Sequence, residues 1–209
     1  MFGQEPFSKL LELVAARTPT PGGGSVAALA GALGASLGCM AIRFSMKRKD
    51  STPEQDAVLA TLERGLLDLS GRLTALADDD ATSFEEVRKA RKLPQATPAE
   101  QSARESAVRS ATEHAAEVPL QTARLAREGI ELIEGSLSAL NANLATDAAS
   151  GVVLLRSAVR CAAWNVLVNL VGDTSPAATT RRAEIEKLQA RAAELESRVV
   201  AWTEKALAR

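Results

Sequence analysis

Two stretches of this chain carry residues that could do chemistry: the run Thr20-Pro21-Gly22-Gly23-Gly24-Ser25 and the three consecutive carboxylates Asp78-Asp79-Asp80. Three glycines screen nothing, so their N–H groups can approach a ligand closely before a helix begins, with Ser25 placed as that helix's N-cap. The run is not a phosphate loop, because no Gly-Lys-Ser/Thr follows it and no strand pattern precedes it. The carboxylates fall inside a long helical pattern, where neighbouring positions are turned by about 100° and cannot all face water. Leu73, Leu76, Asp80 and Phe84 continue one face, which turns Asp80 inward and leaves Asp78 and Asp79 flanking it. An inward aspartate is costly unless it is paired, hydrogen-bonded or used. Two readings follow: an acceptor for a facing helix, or a general acid/base.

Further polar groups stand near helix ends. Asn141 to Asp147 forms a polar hinge, with Thr146 or Asp147 as the N-cap of a small-residue helix over 148–171. On that helix Asn165 and Asn169 lie one turn apart, as interhelical hydrogen bonds or as the edge of a ligand site. Lys47-Arg48-Lys49 falls in the expected last turn of the glycine-rich helix and either complements its dipole or binds an anion. The lone His114 sits on a charged helix and reads as a surface residue. No Ser/His/Asp or Cys/His nucleophile constellation can be assembled. Cys39 and Cys161 lack metal-ligand spacing and read as reduced core cysteines of a cytoplasmic protein.

The elements that must position these groups are helices. Apolar residues make up 46 % of the chain but aromatics only 3 %, with no tyrosine, so alanine and leucine build the core. Helices are expected over 4–16, from Ser25 to about Lys49, and from Pro53 to Lys92. Another opens at Pro98 with a kink or restart at Pro119, and a last one follows Thr174-Ser175-Pro176. Gly31, Gly34 and Gly38 are unfavourable inside a helix by about 1 kcal/mol each and fit a place where backbones pack closely. The apolar run Val26 to Ile42 is 17 residues, short of the roughly 20 that cross a membrane. Met1 to Arg17 reads as an amphipathic helix rather than a signal peptide. A net charge of −1 gives no field to attract nucleic acid or an anionic membrane. The expectation is one all-α domain over 1–209, an up-and-down bundle of long helices.

Taken in order, the residues resemble the cyclodeaminase/cyclohydrolase family of folate one-carbon enzymes. The resemblance rests on Thr18 to Val26, Gly31 to Ala35 with Gly38-Cys39-Met40, Asp80 to Phe84, Ala90 to Pro94, Val118-Pro119-Leu120, Asn143 to Asp147 and Asn165 to Leu170. It implies an all-helical homodimer that binds a reduced folate in a cleft lined by Gly22, Gly23, Gly24 and Ser25. It also implies that Asp80 is the catalytic aspartate. Asn143, Asp147 and Asn169 become candidates for the pterin edge. The acidic glutamate tail would meet Lys47 and its basic neighbours, or the cluster from Arg88 to Lys92. Where the family has Leu-Pro-Lys, this chain has Leu93-Pro94-Gln95. A tetrahydrofolate derivative is then the substrate, with no metal or further cofactor expected. The favoured reaction is hydrolysis of 5,10-methenyltetrahydrofolate. The alternatives are cyclodeamination of formiminotetrahydrofolate and a non-catalytic folate-binding dimer.

Overall fold

The computed structural model describes residues 1–208, and among these it contains six α-helices and no strand. The helices are α1 (Phe7–Ala15), α2 (Gly23–Arg43), α3 (Pro53–Arg91), α4 (Pro98–Ser136), α5 (Ala145–Asn169) and α6 (Pro176–Leu207), with short 3₁₀ turns at Phe2–Gln4 and Ala142–Leu144. Local chemistry fixes several starts. Thr52 with Gln55 and Thr97 with Glu100 form capping boxes ahead of Pro53 and Pro98, and Ser175 caps α6.

α2 is the centre, flanked by α3 and α5 with α4 behind it. It runs antiparallel to α5, since Gly31 meets Ala158 while Gly34 and Gly38 meet Gly151. The approach at Gly34 is backbone on backbone: a Cβ there would lie 2.6 Å from the Gly151 carbonyl and 2.9 Å from Leu155 Cγ. Fully buried Leu66, Leu69 and Leu73 of α3 close one side of the core. α6 lays Ile185, Leu188, Ala192, Leu195 and Val199, the seam read from its spacing, against the rest.

Several boundaries differ from expectation. The cap of α2 is Gly22, so Gly23, Gly24 and Ser25 form its first turn rather than a loop, and Ser25 is no cap. α2 ends at Arg43, which leaves Lys47 in a turn beyond it with φ of 53° and its N–H donating to Asp56. α5 starts earlier than expected, at Ala145, so Thr146 and Asp147 lie inside it and no side chain caps it. α4 continues through Pro119 without a restart. The first helix is confined to Phe7–Ala15 and buries nothing. At 21 residues, α2 is long and apolar enough to cross a membrane, as is the segment Ala142–Asn169; in the fold most of α2's apolar window is buried.

Candidate active site

A cavity of about 370 Å³ opens at the N-terminal end of α2, walled by α2, α3, α4 and α5 and by Pro19 and Thr20 ahead of the glycines. The first N–H groups of a helix have no partner within it, and no side chain caps Gly22. The backbone of Gly23 and Gly24 therefore offers donors on the cavity wall.

Asp80 reaches this turn from the middle of α3. Buried Ser25 donates its hydroxyl to Asp80 Oδ2 at 2.9 Å, bringing a carboxylate to the positive end of α2. Gly24 makes the approach possible, because a Cβ at that position would collide with the Asp80 carboxylate. Burial pushes the Asp80 carboxyl above its ordinary range, opposed by hydrogen bonds from the Ser25 side chain and backbone. The group is thus poised nearer neutrality than a surface aspartate, which suits proton transfer. Its neighbours behave differently. Asp78 accepts from the Phe2 N–H, and Asp79 is exposed.

α3 presents more than Asp80. Asp80, Phe84, Val87 and Arg91 follow one another by steps of four, three and four, and all line the cavity. One stripe thus runs from carboxylate through aromatic and aliphatic surface to guanidinium.

α5 supplies the opposite wall with Asn165, Val168 and Asn169. Asn169 Nδ2 donates to the carbonyls of Asn165 and Ala115, both at 2.9 Å. The Ala115 carbonyl is free because its helical donor would be the N–H of residue 119, and Pro119 has none. Both amide hydrogens of Asn169 are thereby spent on backbone, leaving Oδ1 as its acceptor. Asn165 donates to the Cys161 carbonyl at 2.9 Å.

Of the residues singled out in the sequence, Asp80, Gly22, Gly23, Gly24 and Asn169 converge on this cavity, and Ser25 lies directly behind it. Asn143, Asp147 and Lys47 do not join them within one copy. The Asn141 N–H donates to Ser45 just past the end of α2, so this group sits at the other end of the helix, about 30 Å along its axis. Asn165 was open in the sequence as a ligand edge or an interhelical hydrogen bond, and Arg91 was named there only within the cluster from Arg88 to Lys92. The steps linking Arg91 to Asp80 were the signal that could have found it. His114 is exposed and pairs with Glu86 at 2.9 Å. Among the described residues no group of three His, Cys, Asp or Glu side chains converges as a metal site.

Comparison with known proteins fits this arrangement. Residues 6–187 match the family model described as formiminotransferase-cyclodeaminase. A methenyltetrahydrofolate cyclohydrolase of Methylorubrum extorquens is 35 % identical over 95 % of this chain and 96 % of its own length. The formimidoyltransferase-cyclodeaminase of Gallus gallus is 34 % identical over 79 % of this chain, which corresponds to only 30 % of that longer protein. The crystal structure of a formiminotetrahydrofolate cyclodeaminase from Thermotoga maritima superposes with a TM-score of 0.88 at 25 % identity, covering 99 % of this chain and all of the other. With a family match across most of its length and a relative 35 % identical over nearly the whole of both chains, this chain belongs to the formiminotransferase-cyclodeaminase family.

Proposed function

We propose that this protein is a methenyltetrahydrofolate cyclohydrolase, opening 5,10-methenyltetrahydrofolate to 10-formyltetrahydrofolate. The observation that carries the reading is Asp80, a half-buried carboxylate with a raised pKa, set on a helix N-terminus in a cavity wide enough for a ring system. The relative matched over nearly the whole of both chains bears that name.

In this reaction the electrophile is the amidinium carbon between N5 and N10, which carries positive charge. The Asp80 carboxylate stabilises that charge and takes a proton from the attacking water, giving a neutral carbinolamine. The bond from carbon to N5 then breaks as Asp80 returns its proton to N5. Loss of the hydroxyl proton to solvent completes the formyl group on N10 and accounts for the net proton released. Gly23 and Gly24 N–H groups donate to the ligand, while Asn169 Oδ1, with Asn165 beside it, accepts from the pterin's amino and ring N–H edge. Cyclodeamination of formiminotetrahydrofolate uses the same carbon, with N10 as nucleophile and ammonia as leaving group. The likeness to the Thermotoga formiminotetrahydrofolate cyclodeaminase keeps this as the second reading.

A homodimer is the assembly supported by the face that α2 and α5 leave uncovered. Val26 and Leu33 of α2, Phe44 just beyond its end, and Val153 and Trp164 of α5 are large apolar side chains left exposed, which supports an interface there. Gly23 and Asn165 line both this face and the cavity, so a second copy seated on it reaches the edge of the site. Because α2 and α5 run antiparallel, a two-fold axis near Leu33 and Val153 sets the Asn143–Asp147 end of each copy beside the other's cavity. That gives Asn143, Asp147 and Lys47 a route to the substrate that a single copy lacks.

The deciding assay follows the near-ultraviolet absorbance of methenyltetrahydrofolate with wild-type protein and with Asp80→Asn. Asp80-dependent loss of absorbance is expected, with the variant slower by about 10²- to 10⁴-fold. No acceleration by the wild type refutes the cyclohydrolase reading and sends the test to ammonia release from formiminotetrahydrofolate. Sedimentation of wild type and Trp164→Asp tests the dimer, which the charge is expected to split.

A further inference from the structure

The cavity wall on α3 has a charge order that the hydrolysis step does not use. Asp80 and Arg91 are eleven residues apart on one straight face, which places them about 16 Å from each other along the axis. Between them Phe84 and Val87 offer apolar surface, with Val168 of α5 on the other side.

Arg91 is also uncommitted. Among the described residues it forms no ion pair, whereas its neighbour Arg88 is tied to Glu85 at 2.6 Å. Arg104 donates two hydrogen bonds to the Arg91 carbonyl, at 3.1 and 3.2 Å, so a second guanidinium lies next to it. Of the basic cluster from Arg88 to Lys92, Arg91 alone lines the cavity. Lys47, the other cation the sequence offered for the tail, lies at the far end of α2.

We propose that Arg91 is the anion subsite of this cavity and takes a carboxylate of the folate's glutamate tail, fixing the ligand with its cationic amidinium at Asp80 and its anionic end at the mouth. The inference rests on the folate reading above. A guanidinium suits it because its planar fork can bind a carboxylate through two parallel hydrogen bonds. Phe84 and Val87 then face the aminobenzoyl ring that joins the two ends.

The test compares wild type, Arg91→Ala and Arg91→Lys on two compounds, 5,10-methenyltetrahydrofolate and 5,10-methenyltetrahydropteroate capped as its primary amide, which has the same reacting carbon but neither glutamate nor carboxylate. Arg91→Ala is expected to raise KM for the folate by about 10- to 100-fold with kcat held within about twofold, the range for a lost charged hydrogen bond. KM for the pteroate is expected to be the same in variant and wild type, and Arg91→Lys to fall between. A residue that only complements the dipole at the end of α3 shifts the melting temperature and leaves KM alone. That result, an equal KM shift on both compounds, or a loss confined to kcat would each overturn the subsite while the folate reading stands. A wild type inert on both compounds would overturn the folate reading and the subsite together.

Discussion

Asn169 is held by a carbonyl that Pro119 sets free. The missing N–H at Pro119 leaves Ala115 O without a helical donor, and Asn169 Nδ2 fills the place at 2.9 Å, so a proline buried in α4 orients an amide on α5.

Pro119→Ala would restore the helical donor and set it in competition with Asn169 for the same oxygen. The melting temperature is expected to hold or rise, since proline inside a helix is unfavourable by as much as about 3 kcal/mol. The same variant is expected to bind substrate about two- to tenfold more weakly, the value of one hydrogen bond. Thermal melts and steady-state KM on one preparation decide it: a destabilised protein with normal KM would show that Pro119 serves packing alone.

Ser25 governs the charge on Asp80. Its hydroxyl donates to the carboxylate and lowers a pKa that burial raises. In Ser25→Ala the hydroxyl's donation is lost and only the backbone N–H of that residue still opposes burial, so a higher pH is needed to ionise Asp80. The acid limb of the pH profile of kcat/KM is expected to move to higher pH, with activity recovered on the alkaline side. A profile that drops uniformly without moving would assign Ser25 to structure instead.

Stability should report the same carboxylate with the opposite preference. Because the folded-state pKa of Asp80 lies above its unfolded value, the group stabilises the fold when protonated, and this contribution fades as pH rises through the folded pKa. Asp80→Asn is therefore expected to melt at or above the wild-type temperature near pH 8. The wild type should gain on it as pH falls from the raised pKa toward the ordinary aspartate value. Melting curves of both proteins, taken from below the ordinary aspartate pKa of about 3.9 up to mildly alkaline pH, check this, and a gap that does not change with pH would count against it.

Gly34→Ala tests the packing beneath the site. The added Cβ meets the Gly151 carbonyl and Leu155, neither a freely moving chain end. Overpacking of this kind costs about 1–3 kcal/mol, which for a chain of this size lowers the melting temperature by roughly 2–4 °C per kcal/mol. An unchanged melt would mean that α2 and α5 separate more easily than their backbone contact implies.

How much of this was legible in the sequence depends on the range of each interaction. α3 could be read almost to its ends, because Thr52-Pro53 and the leucine spacing are local, and the same spacing turned Asp80 inward. Ser25 was assigned to the wrong partner: a serine after glycines has the local form of an N-cap, yet its partner lies 55 residues on, in another helix. Asn143, Asp147 and Lys47 were grouped with the glycines because nothing in the sequence states which helix ends meet. The antiparallel run of α2 and α5 carries them to the opposite end. Arg91 was offered only as one member of the basic cluster from Arg88 to Lys92, although its spacing from Asp80, Phe84 and Val87 already set it apart. Pro119 was open as a kink or a restart; α4 passes through it without restarting and lends the freed carbonyl to Asn169.

The contact between Gly34 and Gly151 also decides what sort of precision the cavity has. Donors at Gly23 and acceptors at Asn165 face each other from two helices whose closest approach, at Gly34 and Gly151, is made by main-chain atoms. Warming loosens side chains before it loosens hydrogen-bonded backbone, so the distance across the site should be among the last dimensions of this protein to soften. The absence of side chains at the centre of the fold works there as a gauge.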